Sequence, residues 1–572
     1  MLTPLKRTFT RHWLIIVIAL LLGWLTYWPH LAYQKKLGSA DQGITKSFVN
    51  DDLYYLTRGQ DVIDGHATLA NPCFLEHKND WPMQFWLPDN ILSKPLAILG
   101  INVVNGYNFY SFLLPLIAAL LIYSTIYVLV GSRKLAIIGV LFLQAGLFFE
   151  QGGRLPSPGL NFIFWLTLFN LLLAYLKNNK KLTGILATLN LGLLFYVYPY
   201  YWTFGIILLV LLIILGKICL ADFKIKNYLY ILLGALIIGS RYFWELWQTS
   251  RLPAYDEAMI RLGLLTTHFP SGLKITVLSL LLVTGLVILL KKKIIQLNSF
   301  FILLLAGVLS ALIAVNQHVI TGKNLEFSSH YWQISAFIFV CTAIYCLQYL
   351  LYRFCRLGIK RPLRKILLWL MIIWSAVVMG QAIRATGPIE SPDFYRQNYA
   401  PVFNWLKANT AKDEVVYANQ DLSVYLPIYT ANNVYYHQTC TLFFLSDAEV
   451  QSRFAMQKYF DNLGTEDILK YERSIWGTRY INKYAHNQSK NKLRKIIGLK
   501  PVDYVRIPEA EIERVKTLLA EIKTLDFRTA LRGYRADYLL WDKNSDPHWQ
   551  LDRYDWLEQL YTNDNFTIFK IN

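Results

Sequence analysis

Of 572 residues, 54% are hydrophobic and only 17% charged, with a mean hydropathy of +0.31, a balance that excludes an ordinary soluble domain. A net charge of +19 invites a nucleic-acid binder, but its placement excludes one. Residues 1–385 hold 33 Lys/Arg and 14 Asp/Glu (33 − 14 = +19), whereas residues 386–572 hold 24 of each, so the whole excess lies in the apolar part.

Apolar runs near bilayer length recur at 13–33, 108–130, 135–149, 160–176, 182–198, 201–219, 228–243, 273–290, 298–316, 331–352 and 366–385, about eleven spans in all. The first run is long and no small-residue cleavage site follows it, so it is expected to stay as a span rather than leave as a signal peptide. With the N-terminus in the cytoplasm and strict alternation, the cytoplasmic pieces hold 20 basic residues and one acid, Asp222, while the outer pieces hold 13 of each. That is the positive-inside pattern, and an odd number of spans puts residues 386–572 outside. The expected architecture is a mainly α, polytopic helical membrane protein with a C-terminal extracytoplasmic α/β domain, multi-pass in the cytoplasmic (plasma) membrane. Residues 1–385 would form the membrane unit and 386–572 the soluble one.

The outer loops collect the polar groups. Residues 34–107 form the longest and include an aromatic patch, residues 81–87, expected to lie flat at the interface. Residues 150–159 hold Glu150 and Arg154, residues 244–272 hold Glu245, Arg261 and His268, and residues 316–330 hold His318, Lys323 and His330. The run Tyr196–Tyr201 is expected in the interfacial belt with Pro199 in a turn, and Arg241 with Glu245 as an ion pair on one helix face.

Beyond Pro388 the composition turns soluble. Val402–Lys407 and Pro508–Leu525 predict helices, and Glu414–Ala418, Asn433–Tyr436, Tyr538–Trp541 and Phe566–Ile571 predict strands, hence a small α/β domain. It contains no phosphate-binding glycine loop and no nucleophile elbow. The six cysteines show no metal spacing; a Cys73–Cys440 bridge is conceivable, though no spacing favours it.

The stretch Phe48–His66 follows the first span directly and opens a short helix with two acids, Asp51 and Asp52, with Leu53, Leu56 and Ile63 on one face. Capping is the plain reading, because Asn and Asp favour the first helical turn. At an aromatic-rich membrane surface, a carboxylate also suits a general base or a metal ligand. Arg154, Lys323 and His330, with His318, are outer-face cations between apolar spans, suited to a desolvated phosphate. Their plain reading is solvation or snorkelling.

A cytoplasmic N-terminus, one span, and a long outer loop opening on Asp51, Asp52, Tyr55 and Gly65 resemble the GT-C superfamily of polytopic glycosyltransferases. Examples are the protein O-mannosyltransferases, the aminoarabinose transferase and the rhizobial galacturonosyltransferase-like proteins. The resemblance implies transfer of a sugar, with inversion, from a polyprenyl-phosphate donor to a glycan, lipid or protein acceptor at the outer face. Asp51 or Asp52 would be the base, with Asp51 favoured by Tyr55 four residues on. Arg154, Lys323, His330, His318, Tyr55 and Glu150 would bind donor or substrate. A divalent metal, Mg or Mn, is in reach of Asp52 in this scheme. The alternative class is a lipid or sugar transporter or flippase, which calls for charges near the bilayer midplane and an internal repeat; the spans are nearly free of acids. Membrane lipids are expected partners and nucleic acid is not.

Overall fold

The computed structural model describes residues 2–49, 51–82, 85–149, 153–324, 328–356 and 389–572 and, between them, residues 369, 372–374, 376–377 and 380. Among these, seven helices are long and apolar enough to cross a bilayer: Arg11–Ala40, Val103–Val130, Leu155–Asn178, Pro199–Cys219, Leu273–Lys291, Ser299–Thr321 and Ser329–Arg353. Ile225–Ile238 and Ser240–Thr249 make an eighth if their 44° bend lies within one span. The protein is thus a multi-pass helical membrane protein, and among the described residues seven of its helices, or eight with the bent pair, are long enough to cross unaided. Two of the expected runs form helices shorter than the ~20 residues at 1.5 Å each that a ~30 Å bilayer core takes, yet Arg133 and Arg154 lie at opposite ends of the bundle, so the chain crosses between them. Lys181–Val197 has 17 residues, and Arg133–Val140 supplies eight before the chain turns π-helical at Leu141–Leu147. The run 366–385 lies almost wholly outside the described residues.

Large rings fill the centre of the bundle, with Trp165 against Phe204 at 5.1 Å and Phe169 against Phe337 at 5.4 Å, all four buried. The tyrosine run is part of this core rather than a lipid-facing belt. Tyr196, Tyr198, Tyr200 and Tyr201 are buried, and Pro199 is the first residue of the helix Pro199–Cys219, where its missing N–H costs nothing. The described residues of the aromatic patch at 81–87 pack on this tyrosine run. Phe85 packs edge-on against Tyr198 at 4.8 Å and Trp86 tilts on Tyr196 at 5.5 Å, and the helix Leu87–Leu99 starts there.

The loops assigned above to one side meet at one end of the helices. Asp51 meets Arg154, Tyr198 meets His330, and Thr267 meets His486. At the opposite end Arg133 donates to the Arg11 carbonyl and His12 bonds Tyr123.

The soluble part holds a five-stranded mixed sheet. Tyr538–Asp542 is central, parallel to Val415–Ala418 on one side and antiparallel to Phe566–Ile571 on the other. Asn433–Val434 extends the first side in parallel, and Leu557–Thr562 closes the second as an antiparallel edge. Helices Tyr399–Asn409 and Glu509–Thr524 lie where the pattern predicts them. The segment between the first two long helices contributes to this core: Ile44, Cys73 and Phe74 are buried among Val416, Leu422, Phe443 and Leu540. The Val434 N–H donates to the Cys73 carbonyl at 3.1 Å, and Cys73 and Cys440 form a disulfide, Cα to Cα 6.1 Å. Arg453 to Glu76 (2.9 Å) and His77 to Glu449 (3.0 Å) add ion pairs across the same junction.

The helix Asp52–Ile63 is wedged between this junction and the membrane helices. Gly59 makes that approach feasible, since a Cβ there would fall 2.5 Å from the Tyr107 hydroxyl and 2.9 Å from Val103.

Candidate active site

Asp51 and Asp52 occupy different environments. Asp52 opens the helix, and its Oδ2 accepts the N–H groups of Phe48 and Val49, both at 2.8 Å. It therefore pins the preceding loop. Burial raises its pKa from an ordinary 3.8 to about 7, against the opposing pull of those two N–H bonds and of Arg154. The folded state thus holds this proton more tightly than the unfolded chain does. The resulting stabilisation is complete below about pH 4 and is lost as pH rises through about 7. Asn in place of Asp52 keeps an acceptor for both N–H groups and cannot ionise. Asp52→Asn is expected to raise the melting temperature above neutral pH and to leave it unchanged near pH 4, read by thermal unfolding across pH.

Asp51 is the exposed one. It caps the helix with φ +69°, a left-handed conformation that costs a non-glycine residue roughly 1–2 kcal/mol. Its side chain makes no capping bond. Instead Oδ2 accepts the Arg154 Nη2–H at 2.6 Å, across 103 residues of sequence. The Asp51 side chain is 48% exposed and that of Arg154 26%.

Arg154 precedes the π-helical turn Leu155–Leu160, and its carbonyl accepts from the Gly159 N–H at 2.9 Å. Its guanidinium also lies close to Tyr55 and Tyr198. Its buried Nε–H has no acceptor among the described residues. Tyr55 is buried one helical turn beyond Asp51 and lies beside Ser157. Tyr198 sits at the break between two helices and bonds His330 Nδ1 at 2.5 Å, while the His330 ring stacks on Tyr200 at 4.6 Å. The structure therefore pairs Asp51 with Arg154, sets Tyr55 near them and brings in His330 through Tyr198.

His318 and Lys323 lie elsewhere. His318 is buried with Nε2 on the Phe269 carbonyl at 2.9 Å, tying two loops together. Lys323 is exposed on a two-residue strand that pairs antiparallel with Leu265–Thr266. Among the described residues no contact links either to Asp51 or Arg154. Glu150 lies outside the described residues.

One buried pair was not anticipated. Arg58 and Asp89, both fully buried, meet at 2.6 Å, and Arg58 also donates to the Phe85 carbonyl at 2.6 Å and to the Tyr54 hydroxyl at 3.2 Å. The sequence signal is an arginine inside a buried helix face, one turn after Tyr54.

Among the described residues the two acids are not part of a divalent-cation group. One oxygen of Asp51 is on a guanidinium, one of Asp52 is on two N–H groups, and a cation of the Mg or Mn type needs several convergent oxygens. Among the described residues, the group with metal-like spacing is Cys73, His437 and Cys440, whose two sulfurs are joined to each other.

No protein-family model matches the chain, and no curated protein does. Among solved structures it is similar to an oligosaccharyltransferase of Archaeoglobus fulgidus, crystallised with Zn and sulfate, at TM-score 0.45 and 12% identity over 97% of this chain and 73% of that one. By its own fold, this chain is a multi-pass helical membrane protein carrying an α/β domain.

Proposed function

We propose that the protein is a membrane glycosyltransferase of the GT-C type, moving a sugar from a polyprenyl-phosphate donor to a glycan, lipid or protein acceptor at the outer face of the cytoplasmic membrane. The observation that carries this reading is the Asp51–Arg154 pair: a base and a phosphate-binding cation held together at the ends of apolar helices. The Cys73–Cys440 disulfide supports an outer location, since disulfides persist in oxidising compartments. Residues 1–385 form the catalytic unit in this scheme, and residues 386–572, keyed to the first outer loop, shape access for the acceptor.

In the free protein Asp51 occupies Arg154. A donor phosphate competes for that guanidinium, which releases the carboxylate. The acceptor oxygen then attacks the anomeric carbon from the face opposite the phosphate. The new C–O bond forms as the bond to the phosphate oxygen breaks, with inversion, and the acceptor proton passes to Asp51. The negative charge that grows on the leaving phosphate falls on Arg154, with the Tyr198–His330 pair beside it.

Donor binding tests this placement. Arg154→Ala is expected to weaken binding of a polyprenyl-phosphate sugar by about 1–3 kcal/mol, the scale of a charged hydrogen bond. His330→Ala should weaken it less, and Lys323→Ala, in the separate loop cluster, should leave it unchanged. Unaltered affinity on loss of Arg154, measured with the reconstituted protein, would remove the pair from the donor site.

A further inference from the structure

The helix Arg479–Ile496 does not resemble the domain that carries it. Residues 386–572 balance 24 basic against 24 acidic residues, yet from Arg479 to Lys500 there are seven Lys/Arg and no acid. Only Tyr480, Asn482 and Asn491 of the helix are buried. The chain then folds back: Asn491 clamps Val502 through two hydrogen bonds, Nδ2 to its carbonyl at 2.7 Å and Oδ1 from its N–H at 2.9 Å. Arg494 Nε bonds the Lys500 carbonyl at 2.7 Å. This ordered hairpin presents bare aliphatic side chains, with Ile496 76%, Ile497 61%, Leu499 49% and Val505 81% exposed. None of them belongs to a membrane-spanning helix. Four exposed aliphatics interleaved with lysines form an amphipathic element without a protein partner among the described residues.

Its place in the fold says what covers it. The start of the helix is tied to the loop that enters a span. Thr478 donates to the Arg261 carbonyl, Asn482 to the Gly263 carbonyl, and His486 bonds Thr267 at 3.1 Å. The His486 ring meets Phe269 edge-on at 5.7 Å, and Lys490 lies over that same ring. Four residues after Phe269 the membrane-spanning helix Leu273–Lys291 begins. Lys490 is therefore at the level where the bilayer surface starts, and Lys492, Arg494, Lys495 and the aliphatic tip extend from there.

We propose that residues 479–506 are a membrane-docking hairpin. Its lysines and arginines bind anionic lipid headgroups of the adjoining leaflet, and Ile496, Ile497, Leu499 and Val505 enter the headgroup–acyl boundary. The hairpin thereby fixes the α/β domain over the bilayer, independently of the reaction proposed above.

The test uses full-length protein in nanodiscs, with Ile497→Cys carrying a nitroxide and Cys219, Cys341, Cys346 and Cys355 replaced by Ala. Collision with membrane-soluble oxygen and with a water-soluble nickel chelate reports where the label sits. In discs containing phosphatidylglycerol the label should lose nickel collisions and gain oxygen collisions. In phosphatidylcholine discs, or with Lys490, Lys492, Arg494 and Lys495 all changed to Gln, it should return toward water-like values. Equal nickel accessibility in both lipids overturns the proposal, whether the tip stays in water or is covered by protein.

Discussion

Replacing Asp51 with Asn should lower sugar transfer by ~10²–10⁴-fold, the usual scale of a lost general base, without weakening donor binding. The substitution suits the site because Asn tolerates the left-handed backbone that Asp51 adopts at φ +69°, so the helix start is kept and only basicity and charge go. Donor affinity should hold or rise, because Asp51 and the donor phosphate compete for Arg154. That combination of kcat lost and binding kept separates a base from a structural ion pair, whose loss would harm both. Asp52→Asn is the internal control. Its Oδ2 is committed to the Phe48 and Val49 N–H groups, so transfer should fall far less. Single-turnover transfer, read beside direct donor binding, distinguishes the cases. A wild-type rate in Asp51→Asn would refute the assignment.

The second large effect concerns stability. Arg58 and Asp89 are both fully buried, and their contact joins the helix Asp52–Ile63 to the helix Leu87–Leu99. Arg58→Ala leaves a carboxylate buried without its cation, and Asp89→Ala leaves a guanidinium, so each should cost about 3–5 kcal/mol. Replacing the two together by Met and Leu removes both charges and fills the space, and should recover much of the loss. The same pair positions the site: Arg58 holds the Phe85 carbonyl, and the Phe85 ring packs on Tyr198, the partner of His330. Thermal unfolding of the single and double variants in detergent measures the coupling. Additive losses would show that the pair is not a unit.

The membrane-spanning helices and the grouping of the loops could be read from sequence because hydropathy and charge are properties of local composition. The lengths of the individual helices could not, since 135–149 and 182–198 are as apolar as their neighbours and differ in how long a regular α-helix each forms. The four strands rich in buried β-branched and aromatic residues were legible as well. The strand Leu557–Thr562 was not, because it is a sheet edge and mostly exposed, so its sequence is polar. The helix Arg479–Ile496 escaped for a similar reason, as it buries too little to show an apolar stripe.

At the site, the spacing from Asp51 to Tyr55 was local and visible, whereas the pairing of Asp51 with Arg154 depends on how two loops fold together. His318 and His330 looked alike in one outer loop. Tertiary contacts put one on the Phe269 carbonyl and the other on Tyr198. The tyrosine run was misread as belt because aromatic residues near helix ends serve lipid interfaces and cores equally well, and only the packing decides.

The most direct measurement is a cryo-EM structure of the reconstituted protein with a polyprenyl-phosphate sugar bound. The account predicts the donor phosphate within hydrogen-bonding distance of Arg154, the Asp51–Arg154 contact opened, and the Asp51 carboxylate facing the sugar on the side opposite the phosphate. Donor density elsewhere, with Asp51 and Arg154 still paired, would contradict it.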